Sequence, residues 1–195
     1  GYVGQPRPGA EGRRTDDGEI LDRFPGNMRG YFNDPQRTAE VMTEDGFLRT
    51  GDVGDIDAEG YLKLTGRAKE IFKTSKGKYV APTPIENALC GDPLVEACCV
   101  TGVGFPQPFA VVLLAPGATR SPELTRTLDV LRQAVNQTLD PHERLDFLVV
   151  AAQSWTVENG LMTPSFKLRR NVFETRFGPH FERWANLGEP VVWAK

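Results

Sequence analysis

The chain has 195 residues with a net charge of −3, 39% hydrophobic and 25% charged residues, enough for one domain or for a small domain with part of another. That composition is ordinary for a globular protein, and its acidic balance argues against a nucleic-acid partner, which would need a basic face. No apolar run approaches the roughly 20 residues of a transmembrane segment.

In chain order, the first 60 residues hold eleven of the 20 glycines. Asp17-Gly18, Pro25-Gly26, Asp45-Gly46 and Glu59-Gly60 separate the short apolar pieces 19–21, 46–48, 53–56 and 61–64. This is the pattern of short strands and hairpins. Residues 35–42 predict one short helix. From about residue 69 the texture changes. Residues 70–73 and 78–80 read as the arms of a hairpin around Ser75-Lys76-Gly77. Thr83-Pro84-Ile85-Glu86 predicts a helix start, with Thr83 as cap, Pro84 in the first turn and Glu86 completing a capping box. That helix stops at Gly91.

Residues 95–103 and 109–115 read as buried strands, and Ser121-Pro122-Glu123 opens another helix. Leu124, Leu128, Leu131, Val135 and Leu139 fall on one face of it. Residues 145–150 predict a third strand and 168–177 a final short helix. The order hairpin, α, β, β, α, β, α implies a small α+β domain with one sheet faced by helices.

Cys90, Cys98 and Cys99 form an odd set with two neighbours, which does not suggest a disulfide framework. They read as small apolar residues in a reducing compartment, with adjacent strand residues pointing to opposite faces. His142 and His180 are the only histidines, so neither a metal site nor a Ser-His-Asp triad is expected. No secretion signal is visible at the N-terminus, and a cytoplasmic location is expected.

Four places carry chemistry. Asp52 follows Thr50-Gly51 at an expected strand end, where a glycine permits close approach and a carboxylate can accept both ribose hydroxyls. Arg67 follows Gly66, and its guanidinium suits phosphate or ribose. Gly77 sits among Lys73, Lys76 and Lys78, where backbone amides and lysines can meet a phosphate. This is no Walker A loop, because Gly77-Lys78 is followed by Tyr79 and the position five before Gly77 is Phe72. Lys167 lies in Thr163-Pro164-Ser165-Phe166-Lys167-Leu168-Arg169-Arg170, placed to deliver a point charge to a developing oxyanion. Taken singly, each of these is also an ordinary surface side chain.

Together they resemble the adenylate-forming superfamily of acyl-CoA synthetases, luciferases and peptide-synthetase adenylation domains. Gly30-Tyr31-Phe32-Asn33-Asp34-Pro35 and Asp45-Gly46-Phe47-Leu48-Arg49-Thr50-Gly51-Asp52 resemble the end of the large N-terminal domain. Gly66-Arg67-Ala68-Lys69-Glu70-Ile71 resembles the hinge, with Lys69 where many relatives hold Asp, and residues 74–86 resemble the next motif in its long-chain acyl-CoA synthetase form. Residues 158–170 resemble the catalytic lysine segment.

The resemblance implies a β-rich segment, 1–66, from the tail of the large domain's β-barrel subdomain, then a mobile α+β lid, 67–195, hinged near Lys69. It implies that Asp52 and Arg67 bind nucleotide, that Lys167 is catalytic in adenylation, and that Lys76, Gly77 and Lys78 approach the thiol acceptor. Substrates and cofactors would be a fatty acid, ATP, Mg²⁺ and coenzyme A, for an AMP-forming fatty acyl-CoA ligase with possible peripheral membrane association. The family's phosphate loop and acyl pocket are expected upstream of Gly1, in a partner N-terminal domain of the same chain, so these residues alone are expected to be inactive. Alternatives are an adenylation domain loading a carrier-protein pantetheine, and a non-catalytic lid that binds coenzyme A or a partner. Acyl chain length is not legible.

Overall fold

The turn signals of the first third produce an open, antiparallel, five-stranded sheet. Its strands are β1 (Tyr2–Gly4), β2 (Glu11–Arg14), β3 (Glu19–Arg23), β4 (Leu48–Ile56) and β5 (Leu62–Arg67), in the order β1-β5-β4-β3-β2. The sheet does not close into a barrel. The computed structural model describes residues 2–194 and divides the chain into two units, Gly1–Ile71 and Phe72–Lys195. Helix α1 (Pro35–Val41) lies between β3 and β4; Asp34 caps it by accepting from Arg37 N–H. Phe47 is buried beneath two guanidinium groups, Arg13 and Arg23, 4.2 and 4.6 Å from its ring centre.

β4 corrects the expectation of two short pieces and of a strand end at Asp52. It is one nine-residue strand that runs through Gly51 and Gly54. Gly51 takes φ +71°, and a Cβ on Gly54 would lie 2.6 Å from the Lys63 carbonyl oxygen. These glycines bend the strand and admit its neighbour rather than ending it.

The second unit opens with the small hairpin β6 (Phe72–Lys73) and β7 (Tyr79–Val80), then α2 (Pro82–Leu89). A four-stranded sheet follows, built from β8 (Val95–Thr101), β9 (Phe109–Leu114), β10 (Leu148–Val150) and β11 (Val191–Trp193). Its order is β11-β10-β9-β8, with β8–β9 antiparallel and the other two pairings parallel. Ile85 and Leu89 of α2, with Leu128 and Val135 of α3 (Pro122–Asn136), cover one face. Helix α4 (Arg170–Ala185) covers the other through Phe173, Phe177, Phe181 and Trp184. The strands are buried on both faces, which explains why they read as continuous apolar runs. Cys98 and Cys99 fall in opposite cores, as strand alternation requires.

Four features differ from expectation here. Strand β11 was not anticipated, and β10 is shorter than 145–150. The last helix does not stop at Phe177 but continues through Pro179 to Ala185. An interior proline costs roughly 3 kcal/mol, but burying large aromatics contributes about 2 kcal/mol each, and Phe173, Phe177, Phe181 and Trp184 are all buried. The capping box at Thr83 also does not form: α2 begins at Pro82 after Ala81, with no side-chain cap. Glu86 is drawn elsewhere. The α3 start is as read, with Ser121 Oγ accepting from Leu124 N–H.

Candidate adenylation and acceptor elements

Lys167 ends a five-residue turn, Thr163–Lys167. Thr163 N–H donates to the Lys167 carbonyl (2.8 Å), Phe166 N–H to the Thr163 carbonyl (2.8 Å), and Lys167 N–H to Thr163 Oγ1 (3.0 Å). A bridge between Met162 and Leu168 closes its base. The backbone of the lysine is thereby fixed while its side chain is exposed, and its ammonium has no hydrogen bond or ion pair among the described residues.

Among the described residues the same turn occurs four more times, at Thr15–Glu19, Thr43–Phe47, Asp57–Tyr61 and Thr74–Lys78. In each, the first N–H donates to the fifth carbonyl and the fourth N–H to the first carbonyl. The fourth residue is always left-handed: Gly18 (φ +87°), Gly46 (+81°), Gly60 (+82°), Gly77 (+79°) and Phe166 (+56°). Glycine adopts this conformation without cost. For phenylalanine it costs about 1–2 kcal/mol.

The Lys167 turn is anchored from behind. Arg170, the first residue of α4, donates from Nη1 to the Val100 carbonyl (2.8 Å) and from Nη2 to Glu86 Oε1. Glu86 Oε1 also accepts from Val100 N–H (2.8 Å). Val100 lies on β8, an edge strand, so one ion pair serves both outward backbone groups of an unpaired edge and ties α2, β8 and α4 together. This is why Glu86 is not a helix cap. The spacing of Glu86 and Arg170, 84 residues apart, left no signal in the sequence.

Gly77 heads the second lysine-bearing turn, where Ser75 N–H donates to the Phe105 carbonyl (2.9 Å) and Thr74 is buried. Lys76 and Lys78 are exposed at its tip, and Lys73 Nζ lies 5.4 Å from the Tyr79 ring centre. In the first unit, Asp52 on β4 and Arg67 on β5 are register partners, with Arg67 Nε 2.7 Å from Asp52 Oδ1. A cleft of about 590 Å³ opens beside Thr50 and Asp52, walled by Ile20, Phe24, Leu62 and Leu64. Lys69 is exposed within a short 3-10 helix, Ala68–Glu70.

A model of the AMP-binding enzyme C-terminal domain matches residues 69–183. The chain belongs to this family. The AMP-binding C-terminal region so defined contains both lysine-bearing turns and the Glu86–Arg170 tie. Long-chain-fatty-acid–CoA ligase FadD15 of Mycobacterium tuberculosis is 32% identical over 201 residues, covering 93% of this chain and 33% of the relative. Among solved structures, the adenylation domain of the carboxylate reductase from Mycobacterium chelonae is 27% identical, with TM-score 0.79, over 91% of this chain and 31% of that one. The corresponding domain from Segniliparus rugosus, in complex with AMP and a co-purified carboxylic acid, is 26% identical with TM-score 0.78, covering 91% and 31%. The chain thus spans about a third of the length of the relatives it matches. None of its described helices is long and apolar enough to cross a membrane.

The structure also separates the cysteines of this AMP-binding C-terminal domain. Cys90, read with the others as a small apolar residue, is exposed, and its Sγ lies 3.5 Å from buried Cys98 Sγ. The Cys98 hydrogen bond pulls the Cys90 thiol down to about 7. The same hydrogen bond, with burial, pushes Cys98 up. The signal that reading residue by residue missed at Phe166 is the shared turn: Thr163 and Lys167 stand at the spacing of Thr74 and Lys78.

Proposed function

We propose that this chain is the C-terminal portion of an ATP-dependent, AMP-forming fatty acyl-CoA ligase. The observation that carries the reading is Lys167, a cation on a braced turn with no partner of its own among the described residues. In the first half-reaction a fatty-acid carboxylate attacks the α-phosphate of ATP and pyrophosphate leaves. Two anions must meet, so a cation held in place lowers the barrier. Lys167 supplies it at the α-phosphate and carboxylate. Asp52 accepts the ribose hydroxyls, and Arg67 lies beside the same nucleotide. Both side chains keep solvent access (25% for Asp52, 60% for Arg67), and an exposed ion pair stabilises a fold by under about 1 kcal/mol. The pair therefore has little structural reason to exist. Mg²⁺ accompanies the triphosphate.

In the second half-reaction the thiolate of coenzyme A attacks the acyl carbonyl and AMP leaves. The lysine is then not needed, and Lys69 is the pivot that takes it away. The Gly77 turn, with Lys76 and Lys78, meets the phosphate-bearing acceptor. The remaining parts of the ligase, including the phosphate loop and the acyl pocket, belong to a larger N-terminal domain, and the enzyme works in the cytoplasm.

The test is fatty-acid-dependent ATP–pyrophosphate exchange by the full-length protein, followed by thioester formation from supplied acyl-adenylate. Exchange that rises with one class of fatty acid supports the reading; none with any carboxylic acid overturns it. Lys69→Pro fixes φ at the pivot and is expected to slow thioester formation about tenfold or more while exchange changes little. Equal thioester rates would remove Lys69 from that role.

A further inference from the structure

Phe166 is the one departure from glycine among five copies of the same turn. It gains nothing locally from its ring, which is 77% exposed. At the other four positions glycine satisfies the left-handed backbone without strain. A strained backbone that displays a large apolar ring to solvent, one residue before the lysine, costs the turn energy that the ring does not recover by packing. Strain of this kind persists where the side chain has a task outside the turn. The turn is also the wrong place for a packing residue: its base is closed by Met162–Leu168, and the tie beneath it is made by Glu86 and Arg170.

We propose that Phe166 is a substrate-contacting residue of adenylation, whose ring covers the mixed anhydride formed at Lys167 and keeps water from it. This rests on the adenylation role of Lys167. An ammonium beside a carboxylate and a phosphate is strengthened when water is excluded, and the anhydride is protected from hydrolysis to fatty acid and AMP. The small side chains of Pro164 and Ser165 bring no such cover, whereas a phenyl ring presented next to the lysine does. The turn thus delivers two groups together: a charge for the transition state and an apolar shield for its product.

The experiment uses the full-length protein and three variants. Phe166→Gly relaxes the backbone and deletes the ring; Phe166→Asn keeps a residue that tolerates the left-handed conformation and also deletes the ring; Lys167→Ala tests the underlying reading. Both Phe166 variants are expected to lose about tenfold in fatty-acid-dependent pyrophosphate exchange. They should also raise thiol-independent AMP release relative to exchange and keep thioester formation from supplied acyl-adenylate, with a melting temperature no lower than wild type and raised in Phe166→Gly by the strain it relieves. Exchange unchanged in either variant overturns the proposal, because loss in glycine alone would report turn flexibility and not the ring. Equal loss of exchange and thioester formation also overturns it. If Lys167→Ala leaves exchange intact, the adenylation reading itself fails, whatever Phe166 does.

Discussion

Two turns of the second unit share one backbone hydrogen-bond pattern and differ at the residue that takes the left-handed conformation. Thr74–Lys78 and Thr163–Lys167 both begin with threonine, end with lysine and close with the same two backbone hydrogen bonds. The first uses Gly77 at φ +79° and gathers Lys73, Lys76 and Lys78 around it. The second uses Phe166 at φ +56° and presents a single lysine. Their anchorage differs too. Ser75 holds the first through one backbone hydrogen bond to Phe105, whereas an ion pair across three elements stands behind the second. A relaxed turn with diffuse charge suits a flexible, charged acceptor arm, and a strained, braced turn suits one group that must arrive at one place. The comparison teaches that one hydrogen-bond pattern can carry different strain and different bracing.

Lys167→Ala is the largest break in that contrast. Removing one donor to a developing oxyanion costs about 10²–10³ in rate, and pyrophosphate exchange should fall by that order while thioester formation from supplied acyl-adenylate is kept. The double change Lys76→Ala/Lys78→Ala should do the reverse, raising the coenzyme A KM by about tenfold through lost phosphate attraction and leaving exchange alone; steady-state kinetics with coenzyme A as the varied substrate would read it. Glu86→Ala sharpens the bracing side. It takes the Glu86 carboxylate away from Arg170 and from Val100 N–H in a half-buried place, which should cost about 2–3 kcal/mol by denaturant unfolding. Gly77→Ala gives the smallest effect. A side chain there meets only the Lys73 Cε at 3.8 Å, so the cost is backbone strain alone, about 1 kcal/mol, read as a small fall in melting temperature. A Gly77→Ala loss as large as that of Glu86→Ala would erase the distinction between the two turns.

Much of the candidate site could be proposed from the sequence because its parts are local. Asp52 and Arg67 each follow a glycine, the Gly77 turn carries its own turn residues, and Lys167 lies in a run of eight informative residues. Their pairing was not legible: Asp52 and Arg67 meet only because β4 and β5 are aligned with a bulge at Val53/Gly54. Nor was the tie of Glu86 to Arg170. As a sequence, Thr83 to Glu86 satisfies a capping box, yet the edge of β8 offers Glu86 a cation and a backbone N–H at once.

By itself the sequence determined the turn positions, the apolar runs of β8 and β9, the start of α3, and the residues that resemble an adenylating enzyme. These depend on neighbours a few positions apart, where propensity and periodicity act. Only the tertiary structure decided that α4 runs past Pro179, that β11 completes the sheet, that Cys90 faces solvent beside Cys98, and that Phe166 occupies a glycine's conformation. Each depends on what packs or pairs across long sequence separations. There the free energy of burial and of satisfied hydrogen bonds overrides local preference, and no local pattern records it.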